Sequence, residues 1–211
     1  EYIEPGEVSS AAEVGRYFAS QFILAKVRKE GNTMMKVTFV RHGQTSWNLL
    51  GKQQGLADIP LDETGIAQAH QTKELLKDKH FDRVYCSPLT RARQTAQIIC
   101  EDRDIPILLE PRLIERDMGE FEGMTWHQFD TRAFWDYTAN LHYQKAENIR
   151  DFYARVYSFL DTLKGKEGSV VLVAHGGVFA PVSSYAGHSK KEDNLLDDLI
   201  GNAQAFEFTI Q

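Results

Sequence analysis

Two apolar runs far apart in the chain each end in a histidine followed by glycine. Val37-Thr38-Phe39-Val40 leads into Arg41-His42-Gly43-Gln44-Thr45, and Val170-Val171-Leu172-Val173-Ala174 leads into His175-Gly176-Gly177. β-Branched and aromatic residues suit a buried strand, and a glycine after the histidine lets the backbone turn and a ligand come close. An imidazole at the carboxyl end of a strand stands where open α/β sheets bind their ligands. Packing gives no reason for the same ending to occur twice. Between these runs Val84-Tyr85-Cys86 reads as a further strand, and Pro88 opens a helix that carries Arg91 and Arg93 in its first turn. The first turn of a helix offers free N–H groups and the positive end of a dipole, both of which favour an anion.

Together these segments resemble the histidine phosphatase superfamily, also called the phosphoglycerate mutase-like family, from about Lys36 to the C-terminus. The resemblance rests on Arg41-His42-Gly43-Gln44-Thr45 with Asn48, and on Ser87-Pro88-Leu89 with Arg91 and Gln94-Thr95-Ala96. It rests equally on Leu113-Ile114-Glu115 with Gly119 and Glu122-Gly123, and on Val173-Ala174-His175-Gly176-Gly177. It implies a three-layer α/β/α sandwich with a mostly parallel central sheet, and phosphoryl transfer that needs no metal and no cofactor. Phosphoryl transfer demands positioning and charge stabilisation above all. By the resemblance, His42 attacks phosphorus and carries a phosphohistidine, while Glu115 protonates the leaving oxygen and then takes a proton from water. Arg41, Arg91, His175 and Asn48 hold the phosphate oxygens, the arginines through planar donor forks that stay charged. Gln44, Thr45 and Gly176 complete the expected phosphate cradle.

Alternatives stand beside several of these roles. Asp117, Glu120 and Glu122 are rival proton donors, each with a plain reading as a loop or surface carboxylate, and only Glu115 fits the Leu-x-Glu spacing. A donor carboxyl works best with its pKa raised toward neutrality by partial desolvation. Thr45 or Ser46 could cap a helix instead of, or as well as, touching phosphate, and Ser87 carries the same ambiguity. Arg93 lies two residues from Arg91 and so points away from it on a helix. His70, His80, His127 and His188 read as surface or structural residues.

The substrate is read less directly. The interval between Glu115 and His175 is short, whereas the glycolytic mutases of the family carry a longer insertion there, so the chain resembles the shorter phosphatases. Trp126, Phe129, Phe134, Trp135, Tyr137 and Tyr143 crowd the segment between. As a lid they would accept a ring-bearing leaving group, such as α-ribazole phosphate or a broad range of organic phosphomonoesters. As core they would simply bury large rings, which is the commoner use. Arg132, His142, Lys145 and Arg150 would, if turned into the site, suit a doubly charged substrate, which keeps a mutase or sugar-bisphosphatase as the alternative. A non-catalytic binding module should have lost part of the constellation, and all of it is present. A metal-dependent hydrolase is disfavoured, since the sequence shows no carboxylate-histidine cluster at ligand spacing.

The elements that must position these residues follow an α/β alternation. Strands are expected near 36–41, 83–86, 105–109, 169–174 and 204–210, and helices near 64–79, 88–102, 145–164 and 177–187. Asp62 is the expected N-cap of the helix that follows it, and Gly165 and Gly168 punctuate the turn before the strand leading to His175. A chain of 211 residues suits one substantial domain, here 34–211. Residues 1–33 form an N-terminal extension. There Ser10-Ala11-Ala12-Glu13 matches a capping box before Val14, Tyr17, Phe18, Phe22 and Leu24-Ala25, an amphipathic helix that would dock on the domain or join two copies in a homodimer. Its opening lacks the basic-then-apolar order of a signal peptide.

Hydrophobic content of 42% and charged content of 26% are globular values, and no apolar run approaches the roughly 18–20 residues that span a bilayer. The net charge of -6 disfavours nucleic acid as a partner. The 2 cysteines, Cys86 and Cys100, lie in apolar contexts that suit reduced core residues. A cytoplasmic enzyme acting on a small phosphomonoester, with no nucleic acid or membrane partner, is the expectation.

Overall fold

Placing Arg41, Arg91, Glu115 and His175 around one point requires neighbouring parallel strands that end together, and the sheet supplies them. The structure is a computed structural model, and it describes residues 22–24, 34–197 and 199–211. Its strands are β1 (Phe22–Leu24), β2 (Met35–Arg41), β3 (Arg83–Cys86), β4 (Ile107–Leu109), β5 (Gly168–Ala174) and β6 (Ala205–Ile210), in the spatial order β1-β6-β2-β5-β3-β4. All pairings are parallel except that between β2 and β6.

The helices are α1 (Ser46–Leu49), α2 (Glu63–Leu76), α3 (Thr90–Cys100), α4 (Thr131–Phe134), α5 (Ile149–Asp161) and α6 (Gly176–Tyr185). Alternation along β5 divides the core between the two faces of the sheet. Val170, Leu172 and Ala174 pack with Phe152, Val156 and Phe159 of α5 and Val178 and Phe179 of α6. Val171 and Val173 pack with Leu76 of α2 and Ala92, Ala96 and Ile99 of α3 on the opposite side. The result is the expected three-layer α/β/α sandwich with a mostly parallel sheet.

Element positions follow the sequence reading closely, but the short helices α1 and α4 are not among those expected, and two expected elements differ. The helix expected at 145–164 runs only over Ile149–Asp161, because the Asn148 side chain accepts from the Arg150 N–H and starts the helix there. Part of the expected N-terminal helix is strand instead: Phe22–Leu24 adds to β6 in parallel, where a sheet edge offers unpaired backbone groups to a β-prone tripeptide. The rest of that expected helix lies outside the described residues. Among the described residues no helix is long and apolar enough to cross a membrane.

Candidate active site

The register of β2 on β5 pairs Arg41 with Ala174, so the next residues, His42 and His175, emerge side by side. The His42 N–H donates to the Ala174 carbonyl at 2.9 Å, and the two imidazole centroids lie 5.2 Å apart. On the other side of β5, the Ser87 N–H donates to the Val173 carbonyl at 3.0 Å, which sets the entry to α3 and hence Arg91. Strand register therefore brings together residues separated by more than half the chain.

His42 is buried, and its Nδ1 lies 2.7 Å from the Gly43 carbonyl. Assigning the ring proton from that bond places N–H at Nδ1 and leaves a lone pair on Nε2. Burial, then the charges of Arg91 and Arg41, hold its pKa well below the ordinary 6.5, so the ring stays neutral. Arg91 is fully buried and donates from Nη1 to the Ala57 carbonyl at 2.7 Å and from Nη2 to the Gly55 carbonyl at 2.9 Å. Arg41 donates from Nη1 to the Ile200 carbonyl at 2.6 Å. Burial lowers each guanidinium to about 10, which leaves both charged near neutrality. The Nε of each arginine is buried without a partner among the described residues, a pair of N–H groups that an anion could take up.

Glu115 faces these cations. Its carboxylate accepts from the Arg116 N–H at 2.9 Å and from the Gly177 N–H, in the first turn of α6, at 3.0 Å. Burial nevertheless dominates and raises its pKa above the ordinary 4.5, against the pull of those N–H groups and of Arg91. Its backbone is fixed from α5, since Arg155 donates to the Glu115 carbonyl at 2.9 Å while paired with Glu147. Gly177 has to be glycine: a Cβ there would come 2.3 Å from Glu115 Oε1 and 2.6 Å from the Trp135 ring. Gly176 has a lesser need, its Cβ falling 3.3 Å from Arg41.

Of the other expected residues, Asn48 lines the cleft beside His42. Its Oδ1 accepts from the Thr45 N–H at 3.1 Å and from Asn202 Nδ2 at 3.3 Å, so the amide nitrogen is the end left for a ligand. Gln44 and Thr45 are turned to other work. Gln44 Nε2 donates to Asp62 at 3.1 Å, and Thr45 caps α1 in a capping box with Asn48. The rival carboxylates are occupied as loop ties: Asp117 accepts from the Gly119 N–H at 2.8 Å and Glu122 from the Leu56 N–H at 2.6 Å, while Glu120 is exposed. Arg93 is exposed on α3.

The aromatic segment divides. Trp126 and Trp135 line the cleft, whereas Phe129, Phe134 and Tyr143 stack around Phe121 in the core, and Tyr137 packs on Tyr153. None of the four groups considered for a second phosphate lines the cleft: Arg132 pairs with Asp197, Arg150 lies over Tyr137, His142 bonds Asn148, and Lys145 packs beneath Gly119.

Sequence reasoning missed one wall altogether. Gln53 and Gln54, both buried, line the cleft beside Lys52, and their segment is tied to the aromatic segment by Gln53 N–H to Met124 O at 2.8 Å and Gly123 N–H to Gln53 O at 2.8 Å. Gln53 Nε2 and Gln54 Oε1 have no partner among the described residues. The available signal was a polar stretch bracketed by Gly51 and Gly55, both at positive φ. Asn202, Leu195 and Leu199 also reach the cleft from the loop before β6, where nothing in the sequence distinguishes them.

Comparison with known proteins gives a consistent answer. The sequence profile of the histidine phosphatase superfamily (branch 1) matches residues 37–205. A relative from Bacillus subtilis, the uncharacterized phosphatase PhoE, is 39% identical over 68% of this chain and 72% of its own. The adenosylcobalamin/alpha-ribazole phosphatase of Salmonella typhimurium is 36% identical over 69% of this chain and 76% of its own. Among solved structures, a mycobacterial glucosyl-3-phosphoglycerate phosphatase superposes with a TM-score of 0.71 at 27% identity, covering 83% of this chain and 90% of that one. The chain belongs to the histidine phosphatase superfamily.

Proposed function

Taking that membership as the premise, we propose that the protein hydrolyses phosphomonoesters through a phosphohistidine on His42, with Glu115 as general acid and then general base. In the first step His42 Nε2 forms a bond to phosphorus as the ester P–O bond breaks, and the Glu115 proton goes to the departing oxygen. In the second, Glu115 takes a proton from water, the water oxygen bonds phosphorus, and the P–N bond breaks to release phosphate and neutral His42. Arg41, Arg91 and the Asn48 amide receive charge on the equatorial oxygens.

One observation carries this reading: a neutral imidazole with its Nε2 lone pair free lines the same cleft as the Arg41 and Arg91 guanidiniums and a carboxyl whose pKa is raised. A nucleophile, an anion site and a proton donor thereby share one cleft. The phosphatase names of several relatives support hydrolysis. A mutase, as one relative from Enterobacter is named, is the weaker reading, because Arg132 and Arg150 are committed elsewhere. The wall formed by Met118, Trp126, Trp135, Leu195 and Leu199 suits an apolar or ring-bearing leaving group.

Phosphate release from a panel comprising 3-phosphoglycerate, a sugar bisphosphate and an aryl phosphate, with chelator present, tests the reading. Release by the native protein that His42→Ala abolishes is expected, with the aryl ester preferred. Chelator-sensitive release, or turnover that survives in the folded variant, would overturn it.

A further inference from the structure

His175 presents a problem in hydrogen-bond accounting. It is fully buried, and its Nε2 lies 2.7 Å from Ser87 Oγ, while its Nδ1 is buried without a partner among the described residues. Its ring is packed against His42 and lies within the fields of Arg91 and Arg41, which together with burial keep it neutral. A neutral imidazole has one N–H and one lone pair, so the proton is on either Nε2 or Nδ1.

Ser87 decides between them. Its Oγ already accepts from the Leu89 N–H at 3.4 Å, so its own hydrogen needs an acceptor. With the His175 proton on Nε2, Ser87 Oγ would accept twice. Its hydroxyl hydrogen would then be buried with no other acceptor among the described residues, and Nδ1 would be a buried lone pair with no donor. With the proton on Nδ1, the Ser87 hydroxyl donates to Nε2, and the only group left unmatched is an N–H that a phosphate oxygen can take up. The second arrangement satisfies one more buried group.

We infer that Ser87 is a positioning residue that fixes His175 as its Nδ1–H tautomer, so that a neutral histidine donates to the transferring phosphoryl group. The local chain is built to hold it there. Ser87 precedes Pro88, which restricts its backbone to extended conformations, and its N–H is tied to Val173 of β5, two residues before His175. The hydroxyl thus sits one strand over from the imidazole it orients. Fixing a ring tautomer through the nitrogen remote from the reaction is an established use of a neighbouring polar group.

This inference rests on the phosphoryl-transfer reading for its consequence, but its structural half stands apart from turnover, and the test reads the two separately. Long-range proton–nitrogen NMR of uniformly labelled protein, with the His175 signals assigned by difference from His175→Asn, reports the tautomer directly. The native protein should show Nδ1–H, Ser87→Ala should lose that form in favour of Nε2–H or an exchanging mixture, and Ser87→Thr, which keeps the hydroxyl, should restore it. In kinetics with an aryl phosphate, Ser87→Ala should lower kcat by about 10–100-fold with KM changed less, as for other residues that orient a reacting group, and Ser87→Thr should recover most of the loss.

An Nε2–H tautomer in the native protein would overturn the inference whatever the kinetics. So would a Ser87→Thr variant, folded by circular dichroism, that is as impaired as Ser87→Ala. If the tautomer shifts as expected while no member of the substrate panel is turned over by the native protein, the failure belongs to the proposed reaction and not to the role of Ser87.

Discussion

Glu115 and His42 owe their suitability to opposite effects of the same burial. Desolvation disfavours the charged form of each, raising the carboxyl and lowering the imidazole. The proposed reaction needs His42 unprotonated and Glu115 protonated in the first step, so on that reading the rate should fall as pH rises through the raised Glu115 value. It should also fall as pH drops through the depressed His42 value. Glu115→Gln should remove the alkaline limb of kcat/KM and cost about 10²–10⁴-fold with alkyl phosphates, but much less with an aryl phosphate whose oxygen leaves without a proton. A loss equal for both ester types would contradict the acid role. At this scale the sequence was informative wherever type and spacing coincided: His42, Arg41, Arg91, Glu115 and His175 are brought together. Gln44 and Thr45 were expected in the cradle and are instead bound to Asp62 and to the α1 cap. A short polar side chain beside a histidine can serve either backbone or ligand, and spacing does not decide which.

At the level of elements, the turn after β2 is fixed by the crossing of backbone against the start of α2. A Cβ on Gly43 would come 2.3 Å from the Gly65 carbonyl oxygen, and one on Gly65 would come 2.0 Å from that of Gln44. Neither neighbour is a flexible side chain, so the backbones must part to admit a methyl group. Gly65→Ala should therefore destabilise the protein by about 1–3 kcal/mol, read as a lowered urea midpoint with an unchanged slope, and should reduce kcat by displacing His42. The strands and helices themselves were legible from apolar runs and caps, Asp62 included: its side chain accepts from the Gly65 N–H as expected. Loops were not. The wall of Gln53 and Gln54 and the loop bearing Leu195, Leu199 and Asn202 acquire their places from pairing and packing across long separations, which no local pattern records. Phe22–Leu24, read as helix, is strand because a distant edge of the sheet receives it.

Across the whole molecule, a chain of net charge -6 places the guanidiniums of Arg41 and Arg91 at one cleft, so attraction for an anionic substrate is local. The same burial leaves a signature in stability. His42 and His175 have folded pKa values well below the 6.5 of an exposed histidine. Below that pH the unfolded chain takes up protons that the folded one refuses, so stability present above pH 6.5 is lost as pH falls toward the folded values. Thermal melts should show a falling Tm on acidification below about pH 6.5, and His175→Asn should flatten that fall; an unchanged acid slope in the variant would place the titration elsewhere. The central claim, that His42 carries the phosphoryl group, is tested most directly by trapping. Rapid mixing with an aryl phosphate, an alkaline quench that spares phosphohistidine, and peptide mass spectrometry should find phosphate on the peptide containing His42 and on no other. Phosphate on a different residue, or full turnover with no covalent adduct in a protein that still requires His42, would contradict it.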